Sequence, residues 1–269
     1  MRGALQRLGF GLLGAVVLLA VSVGIAALGH FGHLPAIVTD VVLAAAGFAT
    51  YALYVRATER RKVTELDLRS AIPQVTAGFA FGIAIFSAVI AILALSGHYK
   101  VLGSGDPLTL VRALIPWFSG AIMEELVFRG FVFRVLRDVA GTWIAVAISA
   151  ALFGLLHAAN PGATVLSSVA IALEAGVLLA IAYAATNRLW LPIGLHAGWN
   201  YAEGTLFGTA VSGTTVKTTF LHGSLSGNAL VTGGPFGVEA SIVAVGVCLV
   251  AASVLALRVK PRRLLEATA

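Results

Sequence analysis

Cysteine is nearly missing from this sequence: Cys248 is the one among 269 residues, which excludes a disulfide framework and a cysteine-based metal site. Charge is scarce as well. Asp, Glu, Lys and Arg make up 11% of the chain, against about 25% in a soluble domain, so an ordinary water-soluble fold is excluded too. The small excess of base, +6 net, sits in short groups beside apolar runs. It lacks the basic stripe and interleaved aromatics of a nucleic-acid binder, so no nucleic-acid partner is expected. The HExxH signature of membrane zinc peptidases is absent, and no internal repeat of the kind that builds inverted-repeat transporters is evident.

What is abundant is apolar, at 59% of the residues. Runs near the roughly 20 residues that cross a bilayer fall at 10–29, 36–55, 72–96, 108–133, 142–159, 163–186, 189–207 and 238–257. They predict an all-α fold, a polytopic membrane helix bundle of about eight transmembrane helices in one integral domain. Residues 1–104 hold three helices and a charged connector at 56–69, 105–208 form the core, and 209–269 are a long external loop and the last helix. The first run has the basic start and small-residue end of a signal peptide, but it is long and more spans follow, so it reads as an uncleaved span. With the N-terminus inside, Arg2, Arg7, the 56–69 connector, Arg134, Arg137, Arg188 and the cluster from Arg258 to Arg263 all fall on the inner face, leaving Lys100, Arg112 and Lys217 outside. That asymmetry places a multi-pass protein in the cell membrane with both termini cytoplasmic.

Against this background Met123-Glu124-Glu125-Leu126-Val127-Phe128-Arg129 stands out. Each charge at a bilayer centre costs roughly 2.5–3.5 kcal/mol on insertion scales, so three in one apolar run need a reason. On a helix Glu125 and Arg129 are four apart and meet on one face, acid first, the better order for an ion pair. Glu124 is turned away by about 100° and faces another helix, where a carboxylate can act as a general base. A structural ion cluster locking two helices would use the same residues. Two further signals accompany it: His157 deep in the fifth run, and His196 with Asn200 one turn apart on the seventh, separated by small residues that allow close helix approach. Measured along ideal helices, however, Glu124 and His157 lie some 20 Å from the connection between them and His196 only about 9 Å into its own helix. Either helices tilt or one connection dips. Glu174, the one other acid mid-span, is expected protonated or facing a wet cavity. Pro116 is expected to kink the fourth helix, and the Gly-, Ser- and Thr-rich stretch 208–237 to hold a short hairpin or lie over the bundle.

Taken in order, Glu124-Glu125-xxx-Arg129, Phe153-xxx-His157 and His196-xxx-Asn200 resemble the three motifs of the Abi/CAAX-processing intramembrane glutamic proteases, a resemblance carried mainly by residues 105–205. The stretch Thr232-Gly-Gly-Pro-Phe-Gly-Val-Glu-Ala-Ser241 is similar to a segment of some bacterial members. The resemblance implies a metal-free endopeptidase without a cofactor, acting on a membrane protein or lipidated peptide in the lipid bilayer. By motif position Glu124 would be the base, His157 its partner, His196 and Asn200 the oxyanion donors, with Glu125 and Arg129 orienting the site. A zinc centre on Glu124, His157 and His196, a proton-coupled transporter, and a non-catalytic bacteriocin-immunity or secretion-associated protein are the competing readings.

Overall fold

In the computed structural model of the protein, residues 2–262 are described; Arg263 and the C-terminal Ala269, expected on the inner side, lie outside them. Three long helices come first: α1 (Arg2–Phe31), α2 (Ala36–Thr58) and α3 (Ala71–Leu95). After strand β1 (Tyr99–Ser104) the chain forms α4 (Leu108–Arg112), α5 (Leu114–Glu125), a π-helical segment Leu126–Phe133, α6 (Arg134–Ala140) and α7 (Thr142–His157). Next come α8 (Val165–Ile171), a second π-helical segment Ala172–Gly176, α9 (Val177–Thr186), α10 (Trp190–Asn200) and a third π-helical segment Tyr201–Leu206. Strand β2 (Leu221–Leu225), the short α11 (Ala229–Thr232) and α12 (Ile242–Ala256) complete it.

The molecule is a helical membrane bundle. All eight apolar runs fall on helix, and four stretches are long and apolar enough to cross a membrane: Gln6–Phe31, Ala36–Thr58, Thr64–Leu95 and Val165–Thr186. Large apolar side chains face outward, Leu95, Leu257 and Val165 among the most exposed, while the largest fully buried side chain is Arg129. This inversion suits a lipid solvent, which welcomes Leu and Val and sends ionisable groups to the bundle interior.

The fourth run does not kink at Pro116. Its helix breaks at Ala113 and restarts as α5, so Pro116 stands in the first turn, where its missing N–H goes unmissed. Asp106 accepts from Leu108 N at 2.9 Å at the start of α4. The 208–237 stretch holds one minimal hairpin, an antiparallel bridge between Val211 and Thr214 across Ser212-Gly213. Its strand β2 pairs antiparallel with β1, Tyr99 opposite Leu225 and Val101 opposite Gly223, and the rest of the stretch lies over the bundle.

Within the connector 56–69, Glu65 is 3% exposed. Tyr51 Oη donates to Glu65 Oε1 at 3.1 Å, Arg61 bridges Glu59 and Glu65, and Arg134 pairs with both acids. Arg188–Asp67, Arg262–Asp138 and Arg137–Asn187 contacts gather the remaining basic connections at the same end of the bundle.

The tightest packing in the bundle is between α3 and α10. Gly78 and Gly82 of α3 face Gly194 and Gly198 of α10, and a Cβ on any of the four would strike a backbone oxygen of the other helix. Two GxxxG seams therefore allow backbone-to-backbone contact, which is how helices associate where lipid removes the hydrophobic drive. His196 lies two residues from each glycine of its seam, so it points to the opposite side, into the bundle. We expect Gly198→Val to force the helices apart at a cost of about 1–3 kcal/mol; a detergent melt matching that of the parent would refute the contact.

Candidate active site

Glu124 and Glu125 are the last two residues of α5, directly before the first π-helical segment. The second π-helical segment contains Glu174 and the third begins just after Asn200. Such π-turns widen a helix locally and recur at functional sites, because the extra residue re-aims side chains that α-geometry would place elsewhere.

Glu125 and Arg129 form the expected pair, Nη1 to Oε1 at 3.0 Å, both side chains fully buried. Arg129 Nη2 donates to the carbonyls of Gly176, at 3.1 Å, and Ala175, at 3.3 Å, where the second π-helical segment ends. Its guanidinium lies 4.7 Å from the centre of the Phe153 ring. One side chain thus ties the end of α5 to α7 and to the segment before α9.

Phe153 has a second task. Its carbonyl accepts from His157 Nδ1–H at 2.8 Å, and a carbonyl can only accept, so the proton is on Nδ1 and Nε2 is left free. His196 Nδ1–H donates to Glu125 Oε1 at 2.9 Å, which again frees Nε2. Both free nitrogens face the same atom. Glu124 Oε2 stands 4.0 Å from His157 Nε2 and 3.9 Å from His196 Nε2, and has no hydrogen-bond partner among the described residues. These gaps are too long for a direct hydrogen bond.

Glu124, His157, His196 and Asn200 line one cavity of about 300 Å³. Glu124 is 35% exposed, more open than a dry site would leave it, and Glu125 and Arg129 lie behind the wall. Glu124, His157 and His196 meet although ideal helix lengths put them at different depths; Leu189, just before α10, is fully buried and its N–H donates to Glu65 O of the connector at 3.0 Å. Part of 208–237 covers the cavity, with Asn160 Nδ2 donating to Ser212 O at 2.9 Å.

Sequence reasoning missed part of the wall. Glu239 lines the cavity, with Glu203 buried beside it, and Glu174 joins them as anticipated for a cavity-facing acid. The signal for Glu203 was available, an acid three residues past Asn200 at the end of an apolar run.

A family model described as Rce1-like, type II CAAX prenyl endopeptidase, matches residues 106–202. The Bacillus subtilis (strain 168) protein named "Putative membrane peptidase YdiL" is 31% identical over 132 residues, covering 45% of this chain and 50% of the relative. The chain therefore spans about half the length of the curated relative it matches. No solved structure matches it. The matched region holds all three motifs, and it is those motifs whose side chains converge on one cavity; over this region the chain is similar to the Rce1-like, type II CAAX prenyl endopeptidase family.

Proposed function

We propose that the protein is an intramembrane endopeptidase that hydrolyses a peptide bond with water activated by Glu124 and His157. The observation that carries this reading is the convergence of His157 Nε2 and His196 Nε2 on the unpartnered Glu124 Oε2 at the cavity wall. Glu124 takes a proton from water, with His157 Nε2 accepting a hydrogen bond from the same molecule, and the hydroxide attacks the scissile carbonyl carbon. The C–N bond breaks as the leaving amine takes that proton back.

The two histidines differ in what holds them. His157 is anchored by a neutral carbonyl, which suits a neutral ring that accepts at Nε2. His196 is anchored by the Glu125 carboxylate, which supports a ring protonated at both nitrogens and so able to donate from Nε2 to the oxyanion. With Glu124 and Glu125 negative and Arg129 and His196 positive, the charges balance. Asn200, on the same cavity wall, supplies the second oxyanion donor. Glu125 and Arg129 are positioning residues.

The substrate is a membrane protein or lipidated peptide reaching the cavity from the bilayer. Purified protein, a quenched fluorescent peptide panel and mass spectrometry of the products test the reaction. New peptide termini are expected; substrate flux without any new terminus would mean a transporter, and binding alone a non-catalytic partner. Inactivation by a chelator with recovery on added zinc would replace the metal-free mechanism.

In the cell membrane both termini face the cytoplasm. The clustering of the 56–69, Arg134, Arg137 and Arg188 connections at one end of the bundle supports this orientation. Reporter fusions at Ser226 should be active outside and at Ala269 inside. The reverse pattern would overturn the topology.

A further inference from the structure

The cavity has a direction, and the proposed hydrolysis makes no use of it. Its floor is closed: Leu178, Leu179 and Leu195 are buried, and of the π-helical segment that continues α5 beyond Glu125 all but Val132 is buried. Its rim is open. Pro116 and Gly120 of α5 and Thr214 of the covering loop are exposed, and Asn160 and Ser212 are half-buried. The rim lies toward the end of the bundle opposite the connector, since the chain leads inward from α5 to Arg134, which pairs with Glu59 and Glu65, and from α9 to Arg188, which pairs with Asp67.

Pro116, Gly120 and Glu124 are spaced by four, so they follow one another along one face of α5, and all three line the cavity. Glu124 is the innermost. Gly120, one turn outward, is the only glycine on that wall among the described residues. Glycine inside a helix is unfavourable relative to alanine, and at Gly78 and Gly198 a closely packed helix explains it. At Gly120 no neighbour does: a Cβ there would meet nothing within 4 Å. Directly outward of the proposed base, a missing side chain leaves room for a backbone that arrives, which is a use glycine serves at ligand sites. Across the rim Asn160, Ser212 and Thr214 are polar, which suits a peptide better than a lipid chain.

We infer that substrate enters over Gly120 from the outer face of the membrane, so that the protein cuts a peptide segment that already lies on that side, as the outward-facing stretch of a membrane or exported protein does. This rests on the peptidase reading and on the orientation with both termini inside, and it adds the side from which substrate comes.

Sidedness of labelling tests the mouth without reference to catalysis. Cys248 is fully buried, so the parent protein is a blank for a membrane-impermeant maleimide. In right-side-out vesicles of the expressing cells, Gly120→Cys and Thr214→Cys should label, while Lys62→Cys, in the connector, should label only after the vesicles are opened. Labelling of Lys62→Cys in sealed right-side-out vesicles, or of neither rim variant, would overturn the outward mouth. The quenched fluorescent peptide that the purified protein cuts should be cut by right-side-out vesicles and not by sealed inside-out ones. Gly120→Trp and Thr214→Trp should each lower kcat/KM for that peptide at least about tenfold while melting within about 2 °C of the parent, since the new ring enters open space. Two plugs are used so that misfolding of one cannot decide the result. Parental kcat/KM in both plugs, or cutting by inside-out vesicles alone, would overturn entry over Gly120. Outward labelling of the rim in a protein that cuts no peptide would instead uphold the mouth and overturn the hydrolase.

Discussion

Glu124→Gln is expected to abolish peptide cleavage while the protein still inserts, folds and binds peptide. Gln keeps the shape of Glu, but it cannot take a proton from water. A general base contributes about 10²–10⁴-fold, and the attack it assists is the step on which all others depend. His157→Ala should give the same phenotype for a different reason, since it leaves water oriented by one group instead of two. Asn200→Ala should behave otherwise, with kcat down about 10²–10³-fold, because it removes one oxyanion donor and no proton carrier. The contrast is the diagnostic result. Initial rates on a quenched fluorescent peptide, with mass spectrometry to confirm the cut, give all three numbers. Undiminished cleavage by Glu124→Gln would sink the glutamic mechanism, and equal losses in all three variants would point to a collapsed cavity.

The chemistry of this site was legible where it broke the rules of an apolar helix. Glu124, Glu125 and Arg129 could be picked out because three charges in one span are costly, and their spacing alone placed Glu125 on Arg129 and Glu124 elsewhere. The small residues around His196 told of a close helix contact, and α3 is the helix they contact. What stayed hidden depends on separations that no local pattern records. Tyr99 pairs with Leu225 and Glu239 binds Ser212 through folding of a loop whose polar residues look like any external connection. Glu203 carried a signal that reads two ways, since an acid near the end of a span is ordinarily interfacial, and it is the third π-helical segment that carries it inward to full burial. The inner-end network of Tyr51, Glu59, Glu65 and Arg134 was hidden for a similar reason: a charged connector is ordinarily solvated, and only the tertiary fold brings Arg134 to it. Phe153 was part of a motif without a reason. The reason is that its carbonyl sets the His157 tautomer while its ring supports the Arg129 guanidinium.

Arg129→Ala should damage the fold as well as the activity. Removing the guanidinium leaves Glu125 fully buried without its counterion and frees the carbonyls of Ala175 and Gly176, at a combined cost of roughly 3–5 kcal/mol. For a chain of this size that is a fall in Tm of roughly 6–20 °C, together with lower yield in the membrane. Arg129→Lys should fall between, because one ammonium cannot hold Glu125 and two carbonyls at once from the position of a planar fork. The informative protein is the double variant, Arg129→Met with Glu125→Gln. It removes both buried charges, fills the space against Phe153 and keeps an acceptor for His196 Nδ1–H, so it should regain much of the lost stability. It should not regain activity, since the carboxylate that lets His196 carry a second proton is gone. Melting curves in detergent and peptide cleavage rates on the same samples separate the two effects. Should Arg129→Ala melt within a degree or two of the parent, the pair does not hold the bundle together; should the double variant recover activity with stability, Glu125 has no electrostatic part in the reaction and His196 is not the oxyanion donor.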